Sequence, residues 1–224
     1  MKARHELKYK ISNFDAEILK SRIRKILEID KHASQDGYIV RSLYFDNVYD
    51  QAYFEKLNGL EKRDKFRIRM YNYDTTYIRL EKKSKQGTST MKSSVTLNKE
   101  EVNRILVLDY EWMKDKIEPL FHEFYLKLTN NLLRPKVIID YQRIPFIYHY
   151  GNIRITFDSK IKFNSTTLDF LNPNCIMQSF PFSQGSILEV KYDEYIPRLI
   201  THLLQCDSAS HQAFSKYCTC RNSL

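Results

Sequence analysis

Several stretches of this chain alternate between charged and apolar residues. That period of two fits a β-strand with one buried face and does not fit a helix. Residues 63–70 are the clearest case. Arg63, Lys65, Arg67 and Arg69 fall on one face, and Phe66, Ile68 and Met70 fall on the other. Four cations in a row repel one another on a bare surface. They make sense when they converge on a polyanion such as a phosphate chain.

The pattern recurs. In residues 4–11, Arg4, Glu6, Lys8 and Lys10 alternate with His5, Leu7, Tyr9 and Ile11. In residues 77–85, Arg79, Glu81, Lys83 and Lys85 share a face with Ile78 and Leu80 behind it. In residues 152–163, Arg154, Thr156, Asp158, Lys160 and Lys162 oppose Ile153, Ile155, Phe157, Ile161 and Phe163. In residues 186–193, Glu189, Lys191 and Asp193 oppose Leu188, Val190 and Tyr192. One such strand is an ordinary solvated sheet edge or face. Five of them, with cations in dense runs, weigh against that reading, and closing such an antiparallel sheet into a barrel would put its charged faces around a wet lumen.

Bulk properties narrow the partners. Lys and Arg number 36 against 27 Asp and Glu, a formal net charge of +9. That excess suits phosphorylated substrates, nucleic acid or an anionic membrane. The aromatic residues fall mostly on apolar strand backs, away from the cations, which disfavours nucleic acid. Only five glycines are present, and no Gly-rich phosphate loop is visible, which argues against a P-loop or Rossmann site. The six histidines form no spaced cluster and no Ser-His-Asp arrangement. Cys218 and Cys220 lack the second spaced pair that zinc needs, so the four cysteines read as free thiols. No apolar run spans a membrane, and no signal-peptide segment opens the chain, so a cytoplasmic protein is expected.

One domain over residues 1–224 is expected, with no internal repeat or linker. Ser12, with Asp15 three residues on, starts a helix whose face carries Ile18, Leu19, Ile23, Ile26 and Leu27. Residues 38–45 predict a strand, and residues 47–57 a short helix ended by Gly59. The strands at 63–70 and 77–85 form a hairpin across residues 72–75. Asn98 with Glu101 starts a helix reaching about Tyr110. Residues 117–133 read as a helix stopping before Pro135. Residues 136–143, 152–163 and 187–193 are strands, and 196–205 and 208–221 are helices. The fold class is α+β with an antiparallel sheet, because most strand connections are too short for parallel crossovers.

These strands resemble, in order and wording, the VTC domain, the polyphosphate polymerase module of the triphosphate tunnel metalloenzyme superfamily. The matching stretches are RHELKY at 4–9, RSLYFD at 41–46, RDKFRIRMY at 63–71, LEKK at 80–83, Lys92, YQR at 141–143, RITFD at 154–158, LEVKY at 188–192 and SKY at 215–217. The related CYTH-type triphosphatases and cyclases favour alternating glutamates near the start. Here only Glu6 stands between Arg4 and Lys8, which tilts the resemblance toward the VTC branch.

The resemblance implies a tunnel barrel with helices packed outside, lined by cations and holding a divalent metal, Mn²⁺ or Mg²⁺. It implies transfer of the terminal phosphoryl group of ATP onto polyphosphate. Lys8, Arg67, Arg69, Lys83, Lys92, Arg143, Arg154, Lys191 and Lys216 match the family's phosphate-binding positions, and Glu189 matches its principal metal-binding glutamate. Of these, Arg67, Arg69, Lys83, Arg143 and Arg154 are expected to act on the reacting phosphate. The others, with Arg63 and Lys65 of the same strand face, are expected to hold the chain. Arg gives bidentate contacts to phosphate oxygens and Lys a mobile point charge, which suits both tasks. Glu6 and Glu81 suit further metal ligands or ion-pair partners of nearby Lys and Arg. Tyr44, Tyr141 and Tyr192 read as packing residues.

Three outputs fit these features. They are a polyphosphate polymerase using ATP, a triphosphatase of the same fold, and a non-catalytic binder of polyphosphate or inositol phosphates. Expected ligands are ATP, triphosphate and polyphosphate. A membrane-protein partner that receives the product is compatible with a chain that has no spanning segment of its own.

Overall fold

The computed structural model describes residues 5–87, 89–180, 185–211 and 214–222. Arg4, expected on the first strand, lies outside them. In chain order the elements are β1 (His5–Ser12), α1 (Asn13–Ile23), β2 (Glu28–Ile29), β3 (Tyr38–Asp46), α2 (Gln51–Leu57), β4 (Lys62–Tyr71), β5 (Ile78–Gln86) and β6 (Ser89–Leu97). Then follow α3 (Lys99–Leu106), a 3-10 turn (Glu111–Asp115), α4 (Pro119–Thr129), β7 (Arg134–Tyr148), β8 (Ile153–Asn164) and a second 3-10 turn (Thr167–Leu171). The last elements are β9 (Gln178–Ser179), β10 (Gly185–Tyr192), α5 (Arg198–Leu203), β11 (Ser210–His211) and α6 (Lys216–Arg221).

The chain packs as two compact units, each assembled from segments far apart in sequence. The first comprises Met1–Ile39, Tyr141–Lys162 and Ser179–Ser215. The second comprises Val40–Asp140, Phe163–Gln178 and Lys216–Leu224.

In the first unit the strands run β11-β1-β10-β8-β7, with β11-β1, β1-β10 and β10-β8 antiparallel, β2 antiparallel beside β7, and β9 beside β8. Period-two alternation puts Leu188 and Val190 of β10 and Ile153, Ile155 and Phe157 of β8 on one face. They pack with Ala16, Leu19, Ile23 and Leu27. The helix start is as expected: the Ser12 side chain accepts from the Asp15 backbone N–H at 3.0 Å. The helix stops at Ile23, however, so Ile26 is left exposed and Leu27 reaches the core from a turn.

In the second unit the order is β7-β3-β4-β5-β6. Leu43, Phe45, Phe66, Ile68, Met70, Ile78 and Leu80 form its apolar face. Val102, Ile105, Trp112, Phe121, Phe124 and Leu128 cover it. The Asn98 side chain accepts from the Glu101 N–H while the Glu101 side chain accepts from the Asn98 N–H, closing a capping box.

Four expectations change. The closed barrel is not closed by hydrogen bonds: among the described residues β11 pairs only with β1, and β6 only with β5. β6 is a strand that the serine-rich segment 89–97 conceals, held on β5 from Gln86↔Ser89 to Ile78↔Leu97. Residues 208–221 are not one helix but a two-residue strand followed by α6. The helix within 117–133 is shorter, starting at Pro119, a residue suited to a first turn, and ending at Thr129.

Candidate functional site

The polar face of the second unit is a grid set by register. Tyr44 pairs with Arg67, Arg67 with Glu81, and Glu81 with Ser94. One step along, Ser42, Arg69, Arg79 and Thr96 form the next row. In the other direction Lys65, Lys83 and Lys92 stand directly opposite one another, and Arg63 stands opposite Lys85. Like charges in cross-strand register are destabilising. The sheet therefore carries here an arrangement that packing alone does not favour.

Glu81 is the hub of the grid. Arg67 Nη2 lies 2.6 Å and Arg69 Nη1 3.7 Å from its Oε2, while Lys92 Nζ lies 2.5 Å from its Oε1. Burial alone would raise the Glu81 carboxyl, but these cations outweigh it and hold the group at about 2. The arrangement is that of an ion-pair centre. Tyr44 sits beside it and its hydroxyl accepts from Arg67 Nη1 at 3.2 Å. Burial opposes ionisation of the Tyr44 phenol, yet Arg67, Arg69 and Lys216 leave it below its ordinary value.

Helix α6 brings Lys216 and Tyr217 to this face. The Tyr217 hydroxyl donates to Asp46 Oδ2 at 2.6 Å, its ring stacks on Tyr44 at 5.6 Å, and Lys65 Nζ lies 5.8 Å from that ring's centre. Asp46 also accepts from the backbone N–H groups of Ala52 and Tyr53, so it caps α2 and anchors α6 together. Burial lowers the Lys65 ammonium, with Lys56 and Arg63 adding to the effect against Cys218 and Tyr44. The Arg63 guanidinium donates to the Leu60 carbonyl at 2.5 Å, and Lys83 stands exposed in the row between Lys65 and Lys92.

The first unit carries a second constellation. Glu6 pairs in register with Lys191, which pairs with Arg154; Lys8 pairs with Glu189, which pairs with Thr156. Lys8 Nζ lies 2.7 Å from Glu6 Oε1 and 3.5 Å from Glu189 Oε2, and Lys191 Nζ lies 2.6 Å from Glu189 Oε1. Burial would lower Lys8, but Glu189 and Glu6 raise it above its ordinary value. For Lys191 burial wins over the same two carboxylates, helped by Arg143, and its pKa falls.

Arg143 forms a two-pronged pair with Asp158, Nε to Oδ1 at 2.6 Å and Nη2 to Oδ2 at 2.7 Å, and lies 5.3 Å from the Tyr141 ring centre. Arg154 pairs with Asp30 at 2.8 Å and donates to the Tyr38 hydroxyl at 3.3 Å. The backbone at Arg143 is held from behind by Gly37. At φ +78°, a Cβ there would stand 2.0 Å from the Arg143 carbonyl oxygen, so only glycine fits.

The donor set of this second constellation suits a hard divalent ion. Two carboxylates from adjacent strands converge on one cationic position, filled by the Lys8 ammonium. The buried Thr156 hydroxyl stands opposite Glu189 with no hydrogen-bond partner among the described residues. Mg²⁺-type ions take one or two carboxylates and complete their shell with phosphate oxygens and water. No group of three His, Cys, Asp or Glu side chains gathers among the described residues.

Each unit thus gathers its own subset of the expected residues. Arg63, Lys65, Arg67, Arg69, Glu81, Lys83, Lys92 and Lys216 belong to one, and Glu6, Lys8, Arg143, Arg154, Glu189 and Lys191 to the other. The sequence did not point to Asp46, Tyr217 or Thr156 as site residues. The first two needed the start of α6. The third had one available signal, a threonine on a strand face otherwise made of charges.

In each unit the apolar face of the sheet is covered and the polar face carries ordered cations and a buried glutamate, the arrangement of an α+β protein suited to a polyanion. The family model of the VTC domain matches residues 3–224, and the chain belongs to that family. Among solved structures it is similar to a candidate adenylate cyclase from Bacillus halodurans. The identity is 15%, with 92% of this chain and 86% of that one covered, at a TM-score of 0.51. A candidate adenylate cyclase from Vibrio parahaemolyticus also matches at 13% identity, with 90% and 84% covered and a TM-score of 0.46. The first likeness speaks for the fold alone. A comparison with curated proteins finds no match. No helix among the described residues is long and apolar enough to cross a membrane.

Proposed function

We propose that this chain is a metal-dependent polyphosphate polymerase, moving the terminal phosphoryl group of ATP onto a polyphosphate chain. The observation that carries the reading is the cation grid of β4, β5 and β6, where Lys65, Lys83 and Lys92 stand in one cross-strand row. A linear polyanion offsets that repulsion along its whole length. Membership of the VTC family supports the substrate class.

In the reaction, the bond from the terminal phosphorus to the bridging oxygen of ATP breaks. A bond to a terminal oxygen of the polyphosphate forms, and ADP leaves. Such a transfer needs little covalent help; it needs in-line placement and cancellation of charge on the oxygens. In each unit arginines offer phosphate oxygens the N–H groups that Glu81, Asp158 and Asp30 leave over, Arg67 and Arg69 in one and Arg143 and Arg154 in the other, and Lys83 adds a point charge. Lys8, Arg63, Lys65, Lys92, Lys191 and Lys216 hold the chain. Glu189 and Glu6 would hold Mn²⁺ or Mg²⁺, which when bound would neutralise phosphate charge. Closure of the sheet into a tunnel, a cytoplasmic location and a membrane partner that receives the product belong to the same proposal.

Product analysis with ATP and Mn²⁺ tests it. Chain growth with ADP release supports polymerisation. Orthophosphate release without chain growth shows a triphosphatase. Tight tripolyphosphate binding without turnover shows a binding module.

A further inference from the structure

Thr156 has a position that packing does not explain. It is 3% exposed, on β8, directly opposite Glu189 of β10. Cross-strand neighbours on one face have Cβ atoms about 5 Å apart. Its hydroxyl has no hydrogen-bond partner among the described residues. A buried hydroxyl left so is destabilising. Valine has the same shape without the polar atom, so a purely structural strand has no use for threonine here.

The neighbours are engaged elsewhere. Asp158, two residues along the strand, takes both prongs of Arg143, and Arg154, two residues back, pairs with Asp30. Glu189 receives Lys191 on one oxygen and Lys8 on the other, and nothing from Thr156. What remains is a buried neutral oxygen on the strand position opposite a carboxylate. A phosphate oxygen brought to that point meets the Glu189 charge head on. A cation satisfies both oxygens at once.

We propose that the Thr156 hydroxyl is an oxygen ligand for the divalent ion held at Glu189. This rests on the metal reading above, and it gives the orphaned hydroxyl the partner it lacks. A hydroxyl is a hard, neutral donor of the kind such ions accept beside carboxylates.

The test is Mn²⁺ titration of the purified protein without nucleotide, followed by the electron paramagnetic resonance of free Mn²⁺. It runs on wild type, Thr156→Val, Thr156→Ser and Glu189→Gln. Calorimetry with tripolyphosphate in EDTA and apo melting accompany it. The expected result is Mn²⁺ affinity about tenfold weaker in Thr156→Val, restored in Thr156→Ser, with metal-free tripolyphosphate affinity within about twofold of wild type. Apo melting of Thr156→Val stays level or rises. Wild-type Mn²⁺ affinity in Thr156→Val, with binding lost in Glu189→Gln, overturns this inference and leaves the metal reading standing. Unchanged or absent Mn²⁺ binding in all four proteins overturns both. Equal loss of Mn²⁺ and tripolyphosphate binding, or a lower apo melting temperature in both Thr156 variants, overturns the ligand role.

Discussion

The Glu81 carboxylate lies 2.6 Å from the Arg67 guanidinium and is itself 4% exposed. With Arg69 and Lys92 on the same carboxylate, the grid carries its own partial counter-charge. The arginines are thereby preorganised rather than left to repel one another.

Arg67→Ala and Arg69→Ala should therefore lower both turnover and stability. Losing a charged partner of a buried carboxylate costs about 1–3 kcal/mol. Relief of repulsion between cations alone would push the other way. Lys83→Ala, at an exposed position of the same face, should lower turnover while leaving the melting temperature within about a degree. Melting and activity measured on the same preparations separate the cases. An Arg67→Ala protein as stable as wild type would show that Glu81 does not depend on the pair.

Acid should expose the Glu81 hub. Its carboxyl falls from an ordinary 4.5 to about 2 in the folded protein. A depressed folded value stabilises above the unfolded one, and that contribution is lost as pH falls from about 4.5 toward about 2. It amounts to roughly 3 kcal/mol at neutral pH. Denaturant unfolding of wild type and Glu81→Gln between about pH 3 and about pH 6 should show the gap between them narrowing as pH falls. A gap independent of pH would mean that Glu81 titrates alike in the folded and unfolded chain, so that Arg67, Arg69 and Lys92 do not depress it.

Tripolyphosphate should raise the melting temperature of the metal-free protein, and less so as salt rises. A ligand that binds only the folded state stabilises by mass action, about 2.7 kcal/mol at a hundredfold excess over Kd. Multi-charge contacts weaken as the Debye length shrinks. Double substitution of Arg63 and Lys85 by alanine should reduce the response to long-chain polyphosphate more than that to tripolyphosphate. These two face each other at the end of the grid, next to the Lys65–Lys83 pair. Equal melting responses of the double variant to the two ligands would count against a chain running along β4.

Much of this was legible in the sequence because alternation is a local signal. Arg63, Lys65, Arg67 and Arg69 share a face by arithmetic, and β4 does place them on one side, with Phe66, Ile68 and Met70 in the core. Ser12 and Asn98 announced their helices through their own side chains. β6 was hidden because Ser89–Leu97 draws its stability from pairing with β5, not from β-propensity. The end of the chain was misread for a related reason. Residues 208–215 carry helix-tolerant residues, while α6 owes its place to long-range contacts: Tyr217 to Asp46, and Arg221 to Asp50 at 3.0 Å. The orphaned Thr156 hydroxyl was out of reach, since a missing partner is visible only once the neighbours are placed.

Glu189 is where binding and turnover should part. It sits 5% exposed between Lys8 and Lys191, and it repels any phosphate brought near it. A residue kept only for holding a polyanion would not be a glutamate. Glu189→Gln keeps the shape, frees the two lysines and removes the charge. Metal-free tripolyphosphate affinity should stay level or tighten, because Lys191 loses its carboxylate partner and Lys8 keeps only Glu6. Turnover with Mn²⁺ should fall by about a hundredfold or more, the scale expected when one charge-stabilising contact is lost. The comparison is calorimetry in EDTA against product formation with Mn²⁺, for the two proteins side by side. Normal metal-dependent turnover in Glu189→Gln would reduce Glu189 to an ion-pair partner of Lys191. Weaker metal-free binding would show instead that Glu189 orders the lysines, whose pairing with it at 2.6 and 3.5 Å is then what the substrate reads.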